Sequence, residues 1–321
     1  MKVRPSTSQT VPAAAELPLA SPVAPDDLLR EIGTLPPSSI LFQQSGFTVF
    51  LGTAEQIPNI LTEICRQREI AFRLVGEGSG KSEDRDRFDE HYLHLFLWDN
   101  RRQTLAGGYR LGPTDRILAE KGPDGLYCSS LFQFEPEFLQ YLNPGLELGR
   151  SFIAADYQKR PLPLVLLWRG IGTYISRHPR YLKLFGPVSI SSDYNPLSRY
   201  LIMRFLRHRR WNLPLSRWVK PRNPFAADSL DQLAAEQISA QLKSVEEVSA
   251  RIAETEPDGK GLPILLKHYL RLNGTIMSFN VDPQFSDVLD ALLLVDIRKA
   301  PKTLMRRYFG AETYDRIEKS Y

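Results

Sequence analysis

Apolar positions along the chain follow two periods, which predict strands and helices in alternation. Strand-like apolar runs occur at residues 47–51, 92–98, 104–111, 146–154, 184–191, 275–281 and 288–297. Apolar residues recur at helical spacing in 57–72, 162–176, 196–207 and 263–272. Because strands that alternate with helices must bury their apolar faces against each other, this pattern predicts a layered α/β architecture.

Two segments depart from this alternation. Residues 1–39 are rich in Ser, Thr, Ala and Pro and lack a regular apolar period, so we predict a flexible tail there. Residues 226–258 carry apolar positions at helical spacing among many acids and end at the turn signal Pro257-Asp258-Gly259. We therefore predict a single domain over residues 40–321, with a helical insertion before the C-terminal strands.

Composition and charge narrow the class of protein only slightly. Of the 321 residues, 42% are hydrophobic and 24% are charged, which is ordinary for a globular domain. A net charge of +4 favours an acidic partner or an anionic membrane surface, and no nucleic-acid partner is expected. The two cysteines suggest a reducing compartment. With no spanning segment and no signal peptide in the pattern, we expect a cytoplasmic protein, with peripheral contact at the inner membrane face as an option.

The strand at 146–154 contains the most informative residues of the chain. Glu147 and Arg150 interrupt an apolar run that should be buried, and burial of an unpaired charge costs several kcal/mol, on the order of the stability of a small domain. Strand alternation would send the two side chains to opposite faces, but a bulge near Gly149 would turn both toward one cleft. The pair is thus either a structural bridge or part of a working site.

Three clusters upstream of this strand add further charged candidates. Arg68 and Phe72 lie four residues apart on one helical face, and Asp86 and Asp89 form part of an acidic loop. Arg110 ends an apolar strand. An inward arginine would bind a substrate carboxylate with two hydrogen bonds, or equally an internal carboxylate. Solvated surface charge is the alternative for each of these residues.

Other motifs point away from common chemistries. The segment 76–82, Gly-Glu-Gly-Ser-Gly-Lys-Ser, is one residue short of a phosphate-binding P-loop, and we interpret it as a mobile loop near the substrate cleft. The five histidines are scattered without the spacing of a metal site, and no Gly-x-Ser-x-Gly elbow is present. No bound metal or cofactor is therefore predicted.

The order of the charged clusters resembles a known family pattern. It is similar to the GNAT acyltransferases that use acyl carrier protein, in particular the ornithine N-acyltransferases long labelled hemolysins, and more distantly to the acyl-homoserine lactone synthases. The synthase pattern, Arg-x-x-x-Phe, Asp-x-x-Asp, Arg and Glu-x-x-Arg, matches Arg68, Phe72, Asp86, Asp89, Arg110, Glu147 and Arg150. The synthases also carry a Trp soon after the Phe, where this chain is Gly-rich. This difference argues against a lactone-type product.

This resemblance, which covers roughly residues 45–310, implies a fold and an activity. The fold would be a GNAT-like mixed central sheet flanked by helices. The activity would be transfer of a long acyl chain, in some relatives 3-hydroxylated, from acyl carrier protein to the α-amine of an amino acid such as ornithine or glycine. The product would be a lyso-aminolipid. Glu147 would act as the base with Arg150 beside it, and the other matched residues would bind substrate.

The donor and its docking face are predicted from two further segments. The usual GNAT pyrophosphate signature is missing after the fourth strand, where residues 158–163 read Gln-Lys-Arg-Pro-Leu-Pro, so acyl carrier protein is favoured over free coenzyme A as the co-substrate. A basic segment interleaved with aromatic residues would contact the acidic carrier protein or a membrane. Its residues include Arg209, Arg210, Trp211, Arg217 and Trp218. The alternative function is a non-enzymatic, hemolysin-like membrane-interacting protein.

Overall fold

A computed structural model describes residues 16–225 and 229–321. In the helix Ser229–Gln241 it describes side chains only from residue 235 onward. The strands are β1 Ile40–Gln44, β2 Phe47–Thr53, β3 Leu93–Asp99, β4 Thr104–Pro113, β5 Phe132–Phe134, β6 Leu146–Ile153, β7 Lys183–Ile190, β8 Val219–Pro221, β9 Thr275–Asp282 and β10 Val288–Asp296. The strand-like runs of the sequence thus form strands, with ends displaced by one or two residues.

The helices of the described chain surround these strands. They are α1 Pro25–Thr34, α2 Pro58–Arg73, α3 Thr114–Lys121, α4 Cys128–Leu131, α5 Pro136–Leu142, α6 Leu162–Arg177, α7 Pro196–Arg210, α8 Leu213–Ser216, α9 Ser229–Gln241, α10 Val245–Thr255, α11 Ile264–Arg271, α12 Lys302–Phe309 and α13 Ala311–Glu318. Helices α9 and α10 lie within the predicted insertion, whose residues 226–228 are outside the described part of the chain.

Eight strands form one mixed sheet in the order β1-β2-β3-β4-β6-β7-β10-β9. Neighbouring strands are antiparallel, apart from β6 and β7, which run parallel and pair only through Leu146–Leu184 and Glu147–Phe185. Beyond Phe185 the two strands separate. This separation opens a gap in the middle of the sheet.

Apolar side chains cover both faces of the sheet. On one face, α6 and α7 pack over the largest core, which includes Trp168 and Phe205. On the other face, α2 covers one half of the sheet through Ile64 and Phe96. The short strands β5 and β8, with α4, α5 and α8 around them, cover the other half. The mixed sheet between layers of helices confirms the predicted α/β class.

The predicted flexible tail is corrected in part. Residues 1–15 lie outside the described chain, but Pro25–Thr34 forms α1, with Leu28 buried against α2. The Glu31 carboxylate accepts the backbone N–H groups of Asn59 (2.9 Å) and Ile60 (2.6 Å). A carboxylate at the start of a helix, here α2, satisfies free N–H groups and interacts favourably with the helix dipole. This partner, distant in sequence, explains why a segment with a weak apolar period is helical.

Candidate active site

A cavity of about 560 Å³ lies at the gap between β6 and β7. Its wall includes Leu148 and Val188, whose side chains also belong to the main core, and Ser189, which follows Val188 on the opposite face of β7. Because successive strand residues point to opposite faces, the cavity reaches both sides of the sheet. Residues of both faces of the sheet therefore contribute to the wall of this cavity.

A bulge in β6 shapes one side of this cavity. The pairing of β4 with β6 shifts register between Gly108 and Arg110, opposite Phe152 and Gly149. Arg150 has φ +49°, in the left-handed region that non-glycine residues rarely adopt. The bulge predicted near Gly149 is thus present, and it turns Arg150 to the face that also holds the Glu147 side chain. The two residues nevertheless have different partners.

Six charged side chains, four of them buried and two half-buried, form an ion cluster on this face of the sheet. Arg68 binds Asp89 through two nitrogens, at 2.7 and 2.9 Å, and contacts Asp84 at 2.9 Å. Its neighbours in the ion cluster are joined by further ion pairs of 2.6 to 3.1 Å. The members are Arg68, Arg110, Arg150, Asp84, Asp86 and Asp89. Three positive and three negative groups make the ion cluster neutral overall.

Asp86 and Asp89 of the ion cluster are held in their charged form. Burial acts to raise the pKa of Asp89, but the adjacent Arg68 guanidinium outweighs it and the pKa lies far below its ordinary value. Arg110 and Arg150 similarly lower the pKa of Asp86 against the effect of burial. These shifts identify the ion cluster as a set of mutually satisfied charges that fixes the acidic loop onto α2 and the sheet.

Arg110 lies in the most enclosed part of the ion cluster. Its side chain is 1% exposed, and its guanidinium lies 5.0 to 5.7 Å from the ring centroids of Phe88, Tyr92 and Tyr127. Its Nε and Nη2 atoms have no hydrogen-bond partner among the described residues. Aromatic faces stabilise such a cation through their negative quadrupole. The surroundings therefore favour an internal role for Arg110.

Glu147 belongs to a separate hydrogen-bonded unit. Its carboxylate is 1% exposed and accepts the Tyr92 hydroxyl and the Cys128 backbone N–H, the latter at 2.6 Å. Burial raises the pKa of the Glu147 carboxyl, and the hydrogen bonds from Cys128 and Tyr92 act in the opposite direction. Both oxygens thus accept hydrogen bonds, one from Tyr92 beside β3 and one from the start of α4.

The residues predicted from sequence divide into two groups with respect to the cavity. Phe72 and Arg150 contribute to its wall. The other five do not form the described wall. Four of them are members of the ion cluster, namely Arg68, Asp86, Asp89 and Arg110, and the fifth is Glu147. The role of Glu147 as general base stays a prediction, because the structure does not bring its carboxylate to the space where substrates would meet.

Sequence reasoning missed the acids that do line the cavity. Asp290 lies in β10, Asp282 ends β9, and Glu77 follows α2. Burial, strengthened by the nearby Asp193, raises the pKa of Glu77 to about 7. Burial also raises the pKa of Asp290 to about 7 and that of Asp282 above its ordinary value. Asp290 could have been found in the sequence, because it is an acid inside the apolar run 288–297, and the same kind of signal singled out Glu147.

The Gly-rich loop at 76–82 encloses a carboxylate of its own chain. Glu69 on α2 accepts the backbone N–H groups of Ser79 (3.1 Å) and Gly80 (3.0 Å) and the Ser79 hydroxyl (2.7 Å). In a P-loop these donors would be free to bind phosphate. The occupied donors agree with the interpretation that this loop is no nucleotide site, and Glu77 places it beside the cavity.

The basic aromatic segment lies at the far end of β9 from the cavity. Trp211 pairs with Ile276 near the start of β9 and stacks on Phe279, while Asp282 at the end of β9 lines the cavity. Six residues of strand span about 20 Å. Arg209 and Arg217 are exposed, Arg210, Trp211 and Trp218 are half-buried, and the Arg217 guanidinium lies over the Trp218 ring. The two tryptophans thus partly support the core.

Two further features bear on cofactors and membranes. Within residues 16–225 and 229–321, no group of three or more His, Cys, Asp or Glu side chains is arranged as a metal site. No helix in the same described ranges has the length and apolar character needed to cross a bilayer.

Comparisons with known proteins agree on one family. Residues 67–168 match the family model described as an acetyltransferase (GNAT) domain. A glycine N(alpha)-acyltransferase of Bacteroides thetaiotaomicron is 32% identical over 269 residues, which cover 79% of this chain and 78% of that protein. A glycine N(alpha)-acyltransferase of Phocaeicola vulgatus is 28% identical over 264 residues, which cover 78% of this chain and 80% of that protein.

Among solved structures, the chain is similar to a CoA-dependent acyl-homoserine lactone synthase, BjaI. The form with SAM and isopentyl-CoA has 13% identity and a TM-score of 0.37, and the form with MTA has 13% identity and a TM-score of 0.38. Each match covers 85% of this chain and 90% of the synthase.

Proposed function

This chain belongs to the GNAT family of N-acyltransferases, and we propose that it transfers a long acyl chain from acyl carrier protein to the α-amine of an amino acid. The product would be an N-acyl amino acid, a lyso-aminolipid. The observation that carries this proposal is the cavity at the gap between β6 and β7, which is lined by residues of both faces of the sheet and has Asp282 and Asp290 in its wall. Two substrates can meet there from opposite sides.

The two sides of the cavity suit different substrates. On the main core face the wall is apolar, with Tyr109, Leu148, Val188 and Tyr269. Burial of an acyl chain there gains roughly 0.8 kcal/mol per CH₂ group. At the outer edge of the cavity, Ile264 is 70% exposed, so an apolar surface continues to the rim. This side suits the acyl chain of the donor.

The charge of the cavity wall supports an amine as acceptor. The described wall contains five acidic side chains and two basic ones. One of the basic groups, Arg150, is already paired with Asp84 and Asp86. The acidic ones are Glu77, Asp193, Asp258, Asp282 and Asp290. Asp282 and Asp290 are buried, Glu77 is half-buried, and Asp193 and Asp258 are exposed. An excess of negative charge attracts an ammonium group and repels an acidic acceptor.

Two amino acids are the leading acceptors. The names of the relatives favour glycine. The excess of carboxylates favours ornithine, because its second ammonium group gives the free amino acid a net charge of +1 at neutral pH while glycine has none. A direct comparison of these two acceptors is therefore the sharpest test of specificity.

The start of α6 supports a carrier-bound donor. Helix N-termini bind phosphates through free N–H groups, but in the first turn of α6 Pro163 removes one of these donors, and Pro161 stands at the cap. Gln158 lines the cavity, and Lys159 and Arg160 are exposed next to it. These two cations suit the single phosphate of a carrier-bound phosphopantetheine arm better than the pyrophosphate of free coenzyme A.

The chemical step needs no covalent enzyme intermediate. The neutral amine attacks the thioester carbonyl directly, and the carbonyl oxygen becomes negative in the transition state. Where β6 and β7 separate, their facing edges make no further ladder pairs in the described sheet, which leaves backbone N–H groups for this oxygen. Pro187 cannot contribute, since proline has no N–H.

The experiment uses purified full-length protein with a long-chain acyl-acyl-carrier-protein and, in parallel, the matching acyl-CoA. Each donor is combined with glycine, ornithine, lysine or glutamate, and products are identified by mass spectrometry. We expect N-acyl products with glycine or ornithine, faster turnover with the carrier-bound donor, and none with glutamate. Thioester hydrolysis without an acyl-amino acid from any acceptor would contradict the proposal.

A further inference from the structure

Asp290 is an acidic residue within the buried and mostly apolar strand β10. All nine residues of β10 are buried, and Asp290 is 2% exposed. In the ladder it stands opposite Ser189 of β7, whose hydroxyl donates to the Asp290 carboxylate at 2.8 Å. The two side chains share the acidic side of the cavity wall. Because burial of a carboxylate costs free energy, its presence on a strand at the cavity wall points to a role for Asp290.

No cation compensates Asp290 directly within the described structure. Its side chain forms no ion pair there, and the charged groups that act on it are Asp282 on β9, Glu77 after α2 and Arg150 on β6. Arg150 is already engaged by Asp84 and Asp86, at 3.1 Å each. The two neighbouring acids disfavour a further negative charge. An ammonium group entering the cavity would supply the missing positive charge.

We propose that Asp290 is the general base that accepts a proton from the ammonium group of the acceptor amino acid. This inference rests on the proposed N-acyltransferase function and assigns a residue to its central step. The pKa of about 7 that burial gives this carboxyl suits a base that works near neutral pH. Glu77, with a similar pKa, belongs to a loop, whereas β10 and Ser189 hold Asp290 in one position.

The proton balance of the step is complete. The Asp290 carboxylate takes one proton from the ammonium, which leaves a neutral amine. The nitrogen lone pair forms the new C–N bond at the thioester carbonyl, and the C–S bond breaks. The second amine proton goes to the departing thiolate, and Asp290 releases its proton to solvent. The sum is ammonium plus thioester giving amide, thiol and one proton.

The test compares Asp290→Asn with Asp296→Asn, a matched control in the same strand. Asp296 is also a buried acid, but it pairs with Arg298 at 2.7 Å and is not part of the described cavity wall. We expect Asp290→Asn to lower kcat about 10²–10⁴-fold with the amino acid, and Asp296→Asn to lower it less than threefold. Each variant is first checked for folding by circular dichroism and thermal melting.

A second acceptor separates proton removal from binding. Aminooxyacetic acid carries an amine that is neutral at pH 7, so it needs no base. We expect Asp290→Asn to lose less than tenfold in kcat with this acceptor. Similar losses with both acceptors, or a rise in KM with unchanged kcat, would overturn the assignment. An inactive wild type would instead contradict the proposed function and would be seen before any variant is compared.

The pH dependence of kcat/KM tests whether the Ser189 hydroxyl adjusts the pKa of Asp290. The hydrogen bond from Ser189 acts to lower the pKa of Asp290 against the effect of burial. Ser189→Ala should therefore shift the rising limb of kcat/KM to higher pH, while Asp290→Asn should abolish that limb. An unshifted profile in Ser189→Ala together with a retained limb in Asp290→Asn would exclude Asp290 as the titrating base.

Discussion

The ion cluster and the cavity wall place buried acids under opposite electrostatic conditions. In the ion cluster, Asp84, Asp86 and Asp89 face three arginines, and charge is balanced. In the wall, Asp282 and Asp290 face other acids. Both regions contain buried acids, so burial alone does not mark function. The missing counter-charge distinguishes the wall, because an acid without a cation partner is free to bind a cation or to exchange a proton.

The largest effect should come from breaking the ion cluster. Arg68→Leu leaves Asp84 and Asp89 buried without their main partner, and we expect a loss of about 3–5 kcal/mol in the free energy of unfolding. The matched control is Arg30→Leu, which removes an exposed pair with Asp27 and should cost less than about 1 kcal/mol. Urea denaturation measures both. Equal costs would mean that the ion cluster has no special structural role.

The second prediction concerns stability against pH. The pKa of Asp290 is raised in the folded state, so the folded protein binds this proton more tightly than the unfolded chain. The stability that it contributes is complete below the ordinary pKa of about 4 and is lost as pH rises through about 7. Asp290→Asn removes this loss and should stabilise the protein by on the order of 2 kcal/mol at pH 8.

Asp89 of the ion cluster is affected by pH in the opposite direction and does not interfere with this test. The pKa of Asp89 is lowered, so its contribution is present above about pH 4 and is lost only as pH falls toward its folded-state value. Asp89 therefore contributes equally to both proteins above about pH 4, and the difference between Asp290→Asn and wild type should shrink steadily below pH 7 and vanish only near pH 4. Thermal melts at pH 5, 6.5 and 8 provide the measurement, and a constant difference across this range would refute the prediction.

Glu147→Gln decides between the two acids as general base. Because both oxygens of Glu147 accept hydrogen bonds from Tyr92 and Cys128, the amide should misplace one of them and cost about 1–2 kcal/mol of stability. We expect kcat to fall less than tenfold. Unchanged stability with a loss of about 10²–10⁴-fold in kcat would assign the base to Glu147 instead.

A smaller effect is expected at the basic aromatic segment. Reversal of Arg209, Arg210 and Arg217 to Glu should raise KM for the acyl-carrier-protein donor several-fold and weaken its salt dependence, with kcat unchanged. The control reverses three exposed basic residues elsewhere, Lys299, Arg307 and Lys319, and matches the change in net charge. Binding to anionic vesicles is measured in parallel. If both triple variants behave alike, net charge rather than this segment governs docking.

The smallest effect is expected in the Gly-rich loop. Lys81 is exposed, and the loop donors already bind Glu69, so Lys81→Ala should leave acyl transfer and stability within experimental error of wild type. Calorimetry should detect no ATP binding to either protein. ATP binding that disappears in Lys81→Ala would restore the nucleotide interpretation.

Local pattern was enough to predict most of the fold. The apolar periods placed the main strands and helices within a few residues of their ends, because binary pattern and secondary-structure period are both local properties. The segment Pro25–Thr34 was missed because its helix is fixed by packing of Leu28 and by the Glu31 contact with α2. Contacts of that kind join residues that are distant in sequence.

The ordered charged motifs also predicted the family, and the relatives confirm a GNAT acyltransferase. The sequence by itself thus determined the secondary structure, the family and the presence of buried charges. Only the tertiary structure decided which charges are compensated. Glu147, Arg150 and Asp290 look alike in sequence, as polar residues in apolar strands, but pairing depends on distances between strands far apart in the chain. Those distances place Asp290, and not Glu147, at the wall of the cavity.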